Sequence, residues 1–161
     1  MPGPDRLSIK RLGYDHEDAQ ALTARLQAFY AERYGDGDDD PTGPSQFVEP
    51  EGIFLVGYVD GKPVATGAWR RVGVDRLGTT KTAELKRMHV IPEMQRRGFA
   101  GEILRALEES ARENGFEALV LSTGLKQPEG IAFYEAHGYE PIQGFGHYAG
   151  APLNRCYGKH L

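Results

Sequence analysis

The order of elements in this chain is decided by residues 88–114, which read MHVIPEMQRRGFAGEILRALEESAREN. A strand ends at Val90, and Pro92 prevents it from continuing because proline has no N–H to donate to a sheet. The helix that follows carries its apolar side chains on one face and ends at Asn114-Gly115. The next apolar run, Phe116–Ser122, is typical of a buried parallel strand. This stretch therefore predicts a right-handed crossover between two parallel strands.

Turn signals on either side give the remaining elements. Asp60-Gly61 predicts a hairpin between two apolar runs. Asp15 is the expected N-cap of the first long helix and Gly35 its stop, and the polar stretch 35–50 is expected to be a loop with one short helical turn. The predicted strands are residues 8–12, 53–59, 62–72, 81–90, 116–122, 139–143 and 155–161, and the predicted helices are residues 15–34, 98–114 and 128–138.

These elements predict one α/β domain of the α+β type over residues 1–161. Its sheet should be twisted, mixed and mostly antiparallel. We expect about seven strands and about four helices, with the short helical turn included.

The composition excludes several classes of protein. A formal net charge of −4 gives no reason to expect nucleic acid as a partner. The single cysteine, Cys156, rules out a disulfide framework and a cysteine-rich zinc site, and it suits a reducing cytoplasm. Residues 1–10 lack the apolar core of a signal peptide, and the densest apolar run, Ile53–Val59, is too short to span a membrane. We therefore expect a cytoplasmic protein with no membrane partner, while a homodimer stays open.

The turn before the helix has the features of an anion site. It carries Arg96 and Arg97, and the first turn of a helix exposes about four unpaired N–H groups that favour a phosphate. Gly98 leaves room for a pyrophosphate to approach the backbone, and Ala100 and Gly101 stay small for the same reason. A glycine turn with solvated arginines explains the same residues, so physical reasoning alone leaves the site open.

The spacing in this turn resembles a known family. Gln95 to Ala100 read QRRGFA and begin five residues after Val90, like the Q/R-x-x-G-x-G/A signature of the GNAT superfamily of N-acetyltransferases. Residues 127–139 resemble the second motif of that family, a helix with a tyrosine, Tyr134, shortly before a glycine and an aromatic residue. Gln127 and Gly130 stand there in place of the commoner asparagine and alanine. The resemblance covers essentially the whole chain.

The resemblance implies a coenzyme site. Members of the family bind acetyl-CoA at this turn, beside two parallel central strands that splay apart, and they use it as a co-substrate without a metal. The backbone of Met88 and Val90 would face the pantetheine arm, with the Val90 N–H aimed at the thioester oxygen. The residues implied in coenzyme binding are Met88, Val90, Gln95, Arg96, Arg97, Gly98, Phe99, Ala100, Gly101, Gln127 and Tyr134.

The same resemblance suggests two catalytic groups. Tyr134 is the expected general acid, because a phenol is protonated at neutral pH and can donate to a departing thiolate. Glu84 lies six residues before Val90, where several members carry an acidic general base. Each has a plainer explanation: a packed tyrosine ring, and a strand-face ion pair of Glu84 with Lys86 and Arg87. His89 and His147 are further candidates for the base, although a satisfied structural histidine is the simpler interpretation of each.

The acceptor pocket is expected opposite the coenzyme, between the first helix with its loop, the third strand and the final hairpin. Its candidate wall residues are Tyr30, Tyr34, Phe47, Trp69, Phe145 and Tyr148. The Asp36–Asp40 cluster reads as a solvated loop, and Cys156 as a buried or incidental thiol. The predicted reaction is acetyl transfer to a primary amine, first of all a small molecule. A protein N-terminus or lysine stays open as acceptor, and a non-catalytic acyl-CoA sensor is the alternative from another class.

Overall fold

The chain alternates short apolar runs with glycine turns, and the computed structural model shows how they assemble over residues 6–38, 40 and 42–161. Residues 1–5, part of the N-terminal stretch considered above, and Asp39 of the acidic cluster lie outside this description. The strands in the described residues are β1 (Ser8–Arg11), β2 (Gly52–Val59), β3 (Lys62–Arg71), β4 (Thr82–Val90), β5 (Ala118–Gly124), β6 (Glu140–Ile142) and β7 (Asn154–His160). The helices are α1 (Glu17–Tyr34), α2 (Phe99–Glu113) and α3 (Pro128–Ala136), with 3-10 turns at Pro44–Phe47 and Pro92–Met94.

These strands form one sheet in the order β1-β2-β3-β4-β5-β7-β6. Among the described strands, β4 and β5 are the only parallel neighbours, and the other pairs are antiparallel. The predicted mixed, mostly antiparallel sheet is therefore confirmed. The pairing of β4 with β5 begins at Thr82–Ala118 and ends at Glu84–Val120. Beyond that point β4 pairs with β3 and β5 pairs with β7, so the two central strands part and leave a gap between them.

Helices α1 and α2 cover opposite faces of this sheet. On the α2 face, a Cβ placed on Gly67 of β3 would stand 2.5 Å from Ile103 and 2.8 Å from Leu107. Glycine at this position thus lets the helix approach the backbone closely. On the other face, Phe29 of α1 lies over His89 of β4, with ring centroids 6.5 Å apart. The end of β4 beside the gap is consequently covered by a different helix on each face of the sheet.

A bulge in β4 changes which side chains face α1. The register between β3 and β4 shifts between Thr66 and Ala68, and Arg87 adopts a positive φ of 59°. A bulge of this kind adds one residue to a strand and turns side chains away from strict alternation. Lys86 and Arg87 consequently point to the same face, where both contact the carboxylate of Asp38.

The element boundaries agree with the sequence predictions to within two residues. One prediction was wrong: the N-cap of α1 is His16, whose Nδ1 accepts a hydrogen bond from the Asp18 N–H at 3.0 Å. Because the helix begins at Glu17, Asp15 lies one position too early to cap it. The short turn predicted within residues 35–50 is present at Pro44–Phe47. The described part of the chain has three α-helices and two 3-10 turns, against about four helices expected with the short turn included. In this part, none of the helices has the length and apolarity to cross a bilayer.

The packing of α2 on the sheet predicts how much a cavity in the core would destabilise the protein. Leu104 of α2 is fully buried, so the substitution Leu104→Ala should lower the free energy of unfolding by about 2–5 kcal/mol, because it removes apolar contacts and leaves a cavity. Leu125→Ala is the matched control, since Leu125 is 44% exposed and the same truncation should cost little there. Urea denaturation of both variants measures the difference, and equal losses would contradict the described packing.

Candidate active site

The turn between β4 and α2 presents a row of backbone donors. The N–H groups of Gly98, Phe99, Ala100 and Gly101 donate to no described protein acceptor, and the first helical bond there is made by the Glu102 N–H to the Gly98 carbonyl. Arg96 and Gly98 both have positive φ, 65° and 82°. Left-handed residues near a helix N-terminus turn successive N–H groups toward one concave spot, which favours an anion.

The structure gives Gly98 a sharper role than its small size alone. Its φ of 82° is strained for any residue with a side chain. A Cβ on Gly98 would meet no protein atom within 4 Å, so it would point into the open space above the turn. Gly101 is small for a different reason, because its Cβ would lie 3.3 Å from Nε2 of His137. The pyrophosphate argument therefore applies to Gly98, while Gly101 is accounted for by the packing of α2 against the end of α3.

Side chains of the turn tie it to its neighbours. The Gln95 amide donates to the carbonyl of Val90 at 3.0 Å, which closes the turn back onto β4. Glu93 forms an exposed ion pair with Arg25 of α1 at 3.1 Å. Arg96 is exposed, whereas the Phe99 ring is buried in the core and leaves its backbone as the accessible part.

The backbone at the end of β4 faces the gap. The Ile91 N–H donates to the carbonyl of Val64 in β3 at 3.0 Å, so Ile91 and Val64 form a hydrogen-bonded pair. Hydrogen-bonded and non-hydrogen-bonded pairs alternate along antiparallel strands, and the next pair is Val90 with Ala65. The Val90 N–H and C=O consequently point away from β3, into the gap. The carbonyl is taken by Gln95, and the N–H is directed where an extended ligand could pair with it.

Glu84 lies at the point where β4 and β5 separate. It is buried, with 5% of its surface exposed. Both Nε and Nη2 of Arg70 donate to its Oε1, at 3.2 and 3.0 Å, while Oε2 accepts no hydrogen bond from a described residue. Burial raises the pKa of Glu84 above that of an ordinary carboxyl group, although Lys86 and Arg70 oppose the change. The predicted ion pair of Glu84 with Lys86 and Arg87 is wrong, because Arg70 across the hairpin is the direct partner.

The acidic loop is part of the site. Asp38 Oδ2 accepts from Lys86 Nζ at 3.1 Å and from Arg87 Nη1 at 2.5 Å. Asp40 Oδ2 accepts from Arg70 Nη2 at 2.5 Å and from Lys86 Nζ at 3.1 Å. Burial opposes ionisation of Asp38, but Lys86, a hydrogen bond from Tyr148 and Arg87 outweigh it and hold the pKa of Asp38 well below its usual range. The solvated-loop interpretation is therefore wrong for Asp38 and Asp40.

Tyr134 lies on α3 with its ring packed between Phe133 and Tyr139. It is buried, and its hydroxyl forms no hydrogen bond with a described residue. Burial, together with the nearby phenol of Tyr30, raises the pKa of Tyr134. Burial and the charge of Asp38 raise the pKa of Tyr30 in the same direction. Both phenols are thus firmly protonated at neutral pH.

Two further predicted site residues link separate elements. The hydroxyl of Tyr34 accepts a hydrogen bond from the Gln127 amide at 3.2 Å and packs directly on the backbone of Gly124, at the end of β5. Tyr148, in the loop between β6 and β7, donates to Asp38 Oδ1 at 2.5 Å. The structure therefore brings Tyr30, Tyr34 and Tyr148 to the acidic loop and the end of β5.

Three of the aromatic residues proposed for the acceptor wall belong to the core instead. Trp69 is fully buried and packs on Phe116, on the α2 face of the sheet. Phe47 stacks on Tyr14, and Phe145 is buried in a small cluster with Val120. These three assignments were wrong because an aromatic residue fills a core as readily as it lines a pocket.

The structure also shows the surroundings of the two histidines considered as bases and of the cysteine. His89 is largely buried, its Nε2 has no hydrogen-bond partner among the described residues, and burial assisted by Arg25 lowers its pKa to about 4. The expectation of a satisfied structural histidine is therefore wrong here, and so low a pKa makes His89 a weak base. His147 is exposed and packs edge-on against Tyr148. Cys156 is buried beside Ser122, which confirms the interpretation of a buried thiol.

Sequence reasoning missed Arg70 and the roles of Asp38 and Asp40. An arginine and a glutamate facing each other on adjacent strands is a recognisable signal, but the turn between β3 and β4 hid the register that pairs Arg70 with Glu84. For the aspartates the chain offered no signal, because a loop contact over 46 residues of sequence depends on the whole fold.

Comparison with known proteins agrees with this geometry. Residues 19–139 match the model of the Acetyltransferase (GNAT) family. The chain is 34% identical to the IAA acetyltransferase of Azospirillum brasilense over 113 residues, which cover 70% of this chain and 71% of that protein. A Klebsiella pneumoniae structure classed as an acyl-CoA N-acyltransferase superposes with a TM-score of 0.79 at 26% identity, covering 96% of this chain and 97% of the other.

A more distant structure shares the fold alone. The PaiA N-acetyltransferase of Thermoplasma acidophilum, in complex with coenzyme A, is 14% identical with a TM-score of 0.69, covering 97% of this chain and 99% of that chain. The family match spans most of the chain and includes β4, the turn, α2 and α3. This chain therefore belongs to the GNAT family of acetyltransferases, which transfer acyl groups from acyl-CoA.

Proposed function

We propose that the protein transfers an acetyl group from acetyl-CoA to the primary amine of a small molecule, by direct attack while both substrates are bound. The observation that carries this proposal is the juxtaposition of the N–H groups at Gly98–Gly101, which have no acceptor in the described part of the chain, with the parted strands β4 and β5. A buried carboxylate, Glu84, lies at the apex of that gap. The single buried thiol, Cys156, suits the reducing cytoplasm in which we place the enzyme.

The coenzyme fits the residues present at the turn. The N–H groups of residues 98–101 would hold its pyrophosphate, and the exposed Arg96 would add positive charge beside it. Arg97 would do the same, while Gln95 would shape the turn through its bond to Val90. The backbone edges of Met88 and Val90 would pair with the extended arm, and Gln127 would contact it from α3. The bound coenzyme supplies the thioester that is broken in the reaction.

Two side chains would move the protons. Glu84 would take a proton from the acceptor ammonium, directly or through a water, and its Oε2 is the oxygen left open by Arg70. The amine nitrogen then forms its bond to the acyl carbon as the bond from carbon to sulfur breaks, and the second proton that the nitrogen loses on becoming an amide passes to solvent water. Tyr134 would give its phenol proton to the departing thiolate, which its raised pKa keeps available. The Val90 N–H would stabilise the charge that develops on the thioester oxygen.

The loop after α1 favours a small acceptor over a protein. Asp38 connects this loop to Lys86 and Arg87 of β4 and to Tyr148 of the final hairpin. A peptide N-terminus or a lysine side chain on a protein would need a groove across the same place, so several buried ion pairs would have to break. Breaking buried pairs of this kind costs several kcal/mol.

The geometry of the turn predicts that alanine substitutions at two glycines affect coenzyme A binding differently. Gly98→Ala should weaken binding of coenzyme A by at least about tenfold, because it adds a methyl group where the anion would lie and strains the turn. Gly115→Ala is the matched control, since Gly115 also has a positive φ, 85°, with no protein atom near its Cβ, at the opposite end of α2. Calorimetry with coenzyme A measures both, and an equal affinity in the two variants would contradict the phosphate turn.

Tyr134→Phe tests the general acid. Loss of the phenol proton should lower kcat by about 100-fold and change the affinity for acetyl-CoA much less, because the ring remains in place. Tyr58→Phe is the control, since its hydroxyl binds Asp18 near the N-terminus of α1. Steady-state release of free thiol, together with calorimetry, separates the two effects. Parallel losses of turnover and affinity would make Tyr134 a binding residue.

The proposed role of Glu84 as the general base predicts how kcat/KM changes at acidic pH, along the acidic limb of its pH profile. A general base acts only when deprotonated, so kcat/KM should fall as the pH drops through the pKa of Glu84, which burial places above that of an ordinary carboxyl group. Glu84→Gln should remove this limb and lower kcat/KM by about 100-fold, while Glu51→Gln, an exposed carboxyl paired with Arg71, should not.

All three proteins are compared with the same acceptor, whose own amine titration then cancels. An unchanged acidic limb in Glu84→Gln would exclude Glu84 as the base. A wild-type protein that binds acetyl-CoA and releases no thiol with any amine would favour the non-catalytic sensor.

A further inference from the structure

The strands beside Glu84 carry more positive than negative charge. Arg70, Lys86 and Arg87 are nearly buried, with 12%, 6% and 2% of their side chains exposed. Glu84 is the strand-borne carboxylate among them. Among the described residues, the remaining negative charge comes from Asp38 and Asp40, which belong to the loop after α1. Because buried charges are costly without partners, this strand surface requires two negative charges from elsewhere.

Asp38 and Asp40 are held in different ways. The backbone of Asp38 exchanges two hydrogen bonds with the Gln27 side chain of α1, at 2.6 and 3.0 Å. Its carboxylate is also bound by Lys86, Arg87 and Tyr148. Within the described residues, the contacts of Asp40 with the sheet are made by its carboxylate, which bridges Arg70 and Lys86, and its backbone N–H donates to Asp38 Oδ1 at 3.1 Å. Asp38 is therefore a fixed partner of the cations, and Asp40 is the more replaceable one.

Asp40 lies where the second charged group of an acceptor would be. Arg70 Nη2 donates both to Glu84 Oε1, at 3.0 Å, and to Asp40 Oδ2, at 2.5 Å. The two carboxylates that share this nitrogen, including the open Oε2 of Glu84, lie within the reach of a single α-amino acid, whose amine and carboxylate are separated by one carbon atom. An open groove of about 460 Å³ begins beside them and is lined by Asp40, Gln46, Glu51, Arg70, Arg71 and Val72. It can accept a side chain of moderate size.

We propose that the acceptor is an α-amino acid, whose carboxylate replaces that of Asp40 on Arg70 and Lys86 while its amine meets Glu84. This inference rests on the proposed acetyl transfer and names its substrate class. Replacement of one carboxylate by another preserves the number of charges and of charge-assisted hydrogen bonds at the site. An amine without a carboxylate would leave Asp40 in place, where the cations are already neutralised and nothing further attracts it.

Matched acceptors test the proposal. Release of free thiol from acetyl-CoA is measured with phenylalanine, phenylalanine amide and 2-phenylethylamine, and with the corresponding sets for leucine and methionine. The amino acids should have a kcat/KM at least about tenfold higher than that of either analogue, because a site built to bind a charged group discriminates against analogues that lack it. Equal or faster reaction of the decarboxylated amines overturns the substrate class and leaves the acetyl transfer intact.

Two variants connect the preference to the named residues. Asp40→Asn removes the competing charge and should lower KM for the amino acids by about tenfold relative to KM for the amides. Any effect of Asp40 on Glu84 cancels in this ratio, and Asp36→Asn, at an exposed aspartate of the same loop, should leave the ratio unchanged. Lys86→Met should abolish the preference for amino acids. An Asp40→Asn variant that loses activity equally with all acceptors overturns the proposal, because Asp40 would then serve the loop itself.

Should no acceptor release thiol, the acetyl transfer fails, and calorimetry of the amino acids then judges the carboxylate site by itself. Binding that is weakened by Lys86→Met and strengthened by Asp40→Asn supports the site. If the heats of amino-acid binding are the same for the wild type and the two variants, the proposed carboxylate site is overturned.

Discussion

The rest of this structure depends on the point at which β4 and β5 stop pairing. They share three residue pairs, up to Glu84 and Val120, and each then continues beside a different antiparallel neighbour. Backbone groups in a sheet must be paired or face water, so the parted strands leave a row of groups at the end of β4 that an extended ligand can satisfy. The turn into α2 begins directly beyond this row, and its N–H groups likewise have no acceptor among the described residues. One interruption of pairing thus produces the two parts of a coenzyme site and places Glu84 at their meeting point.

The bulge at Arg87 determines which side chains of β4 lie on the face that α1 covers. Without the additional residue, Lys86 and Arg87 would point to opposite faces of the sheet. With it, two neighbouring cations lie under α1, and Arg70 of β3 joins them beside Glu84. A positive φ at a residue with a side chain is uncommon and costs free energy. This strained conformation concentrates positive charge on one face of the strand. The loop aspartates neutralise that charge, and the acidic loop therefore lies over the site.

The sequence determined the fold nearly to its details and the site only in part. Periodic apolar positions, Pro92 and the turn glycines gave each strand and helix to within two residues, because these signals are local. The N-cap at His16 was missed because several polar residues compete at a helix start. Phe47, Trp69 and Phe145 were placed in a pocket and belong to the core, since burial of an aromatic ring is decided by the sheet face it occupies. The contacts of Asp38 and Asp40 could not be predicted, because they join a loop to strands far along the chain.

The ion pairs around Glu84 explain how one carboxylate can be buried and still serve as a base. Burial alone favours the protonated form of Glu84, and close pairing with a cation weakens it as a base, since the two effects move its pKa in opposite directions. Arg70 donates twice to one oxygen and leaves the other open, while Asp40 draws on the same guanidinium and weakens the hold of Arg70 on Glu84. The net effect is a raised pKa in a group that remains hydrogen-bonded. The charge that neutralises Arg70 therefore also adjusts the basicity of Glu84, and whichever carboxylate occupies the position of Asp40 contributes to the chemistry.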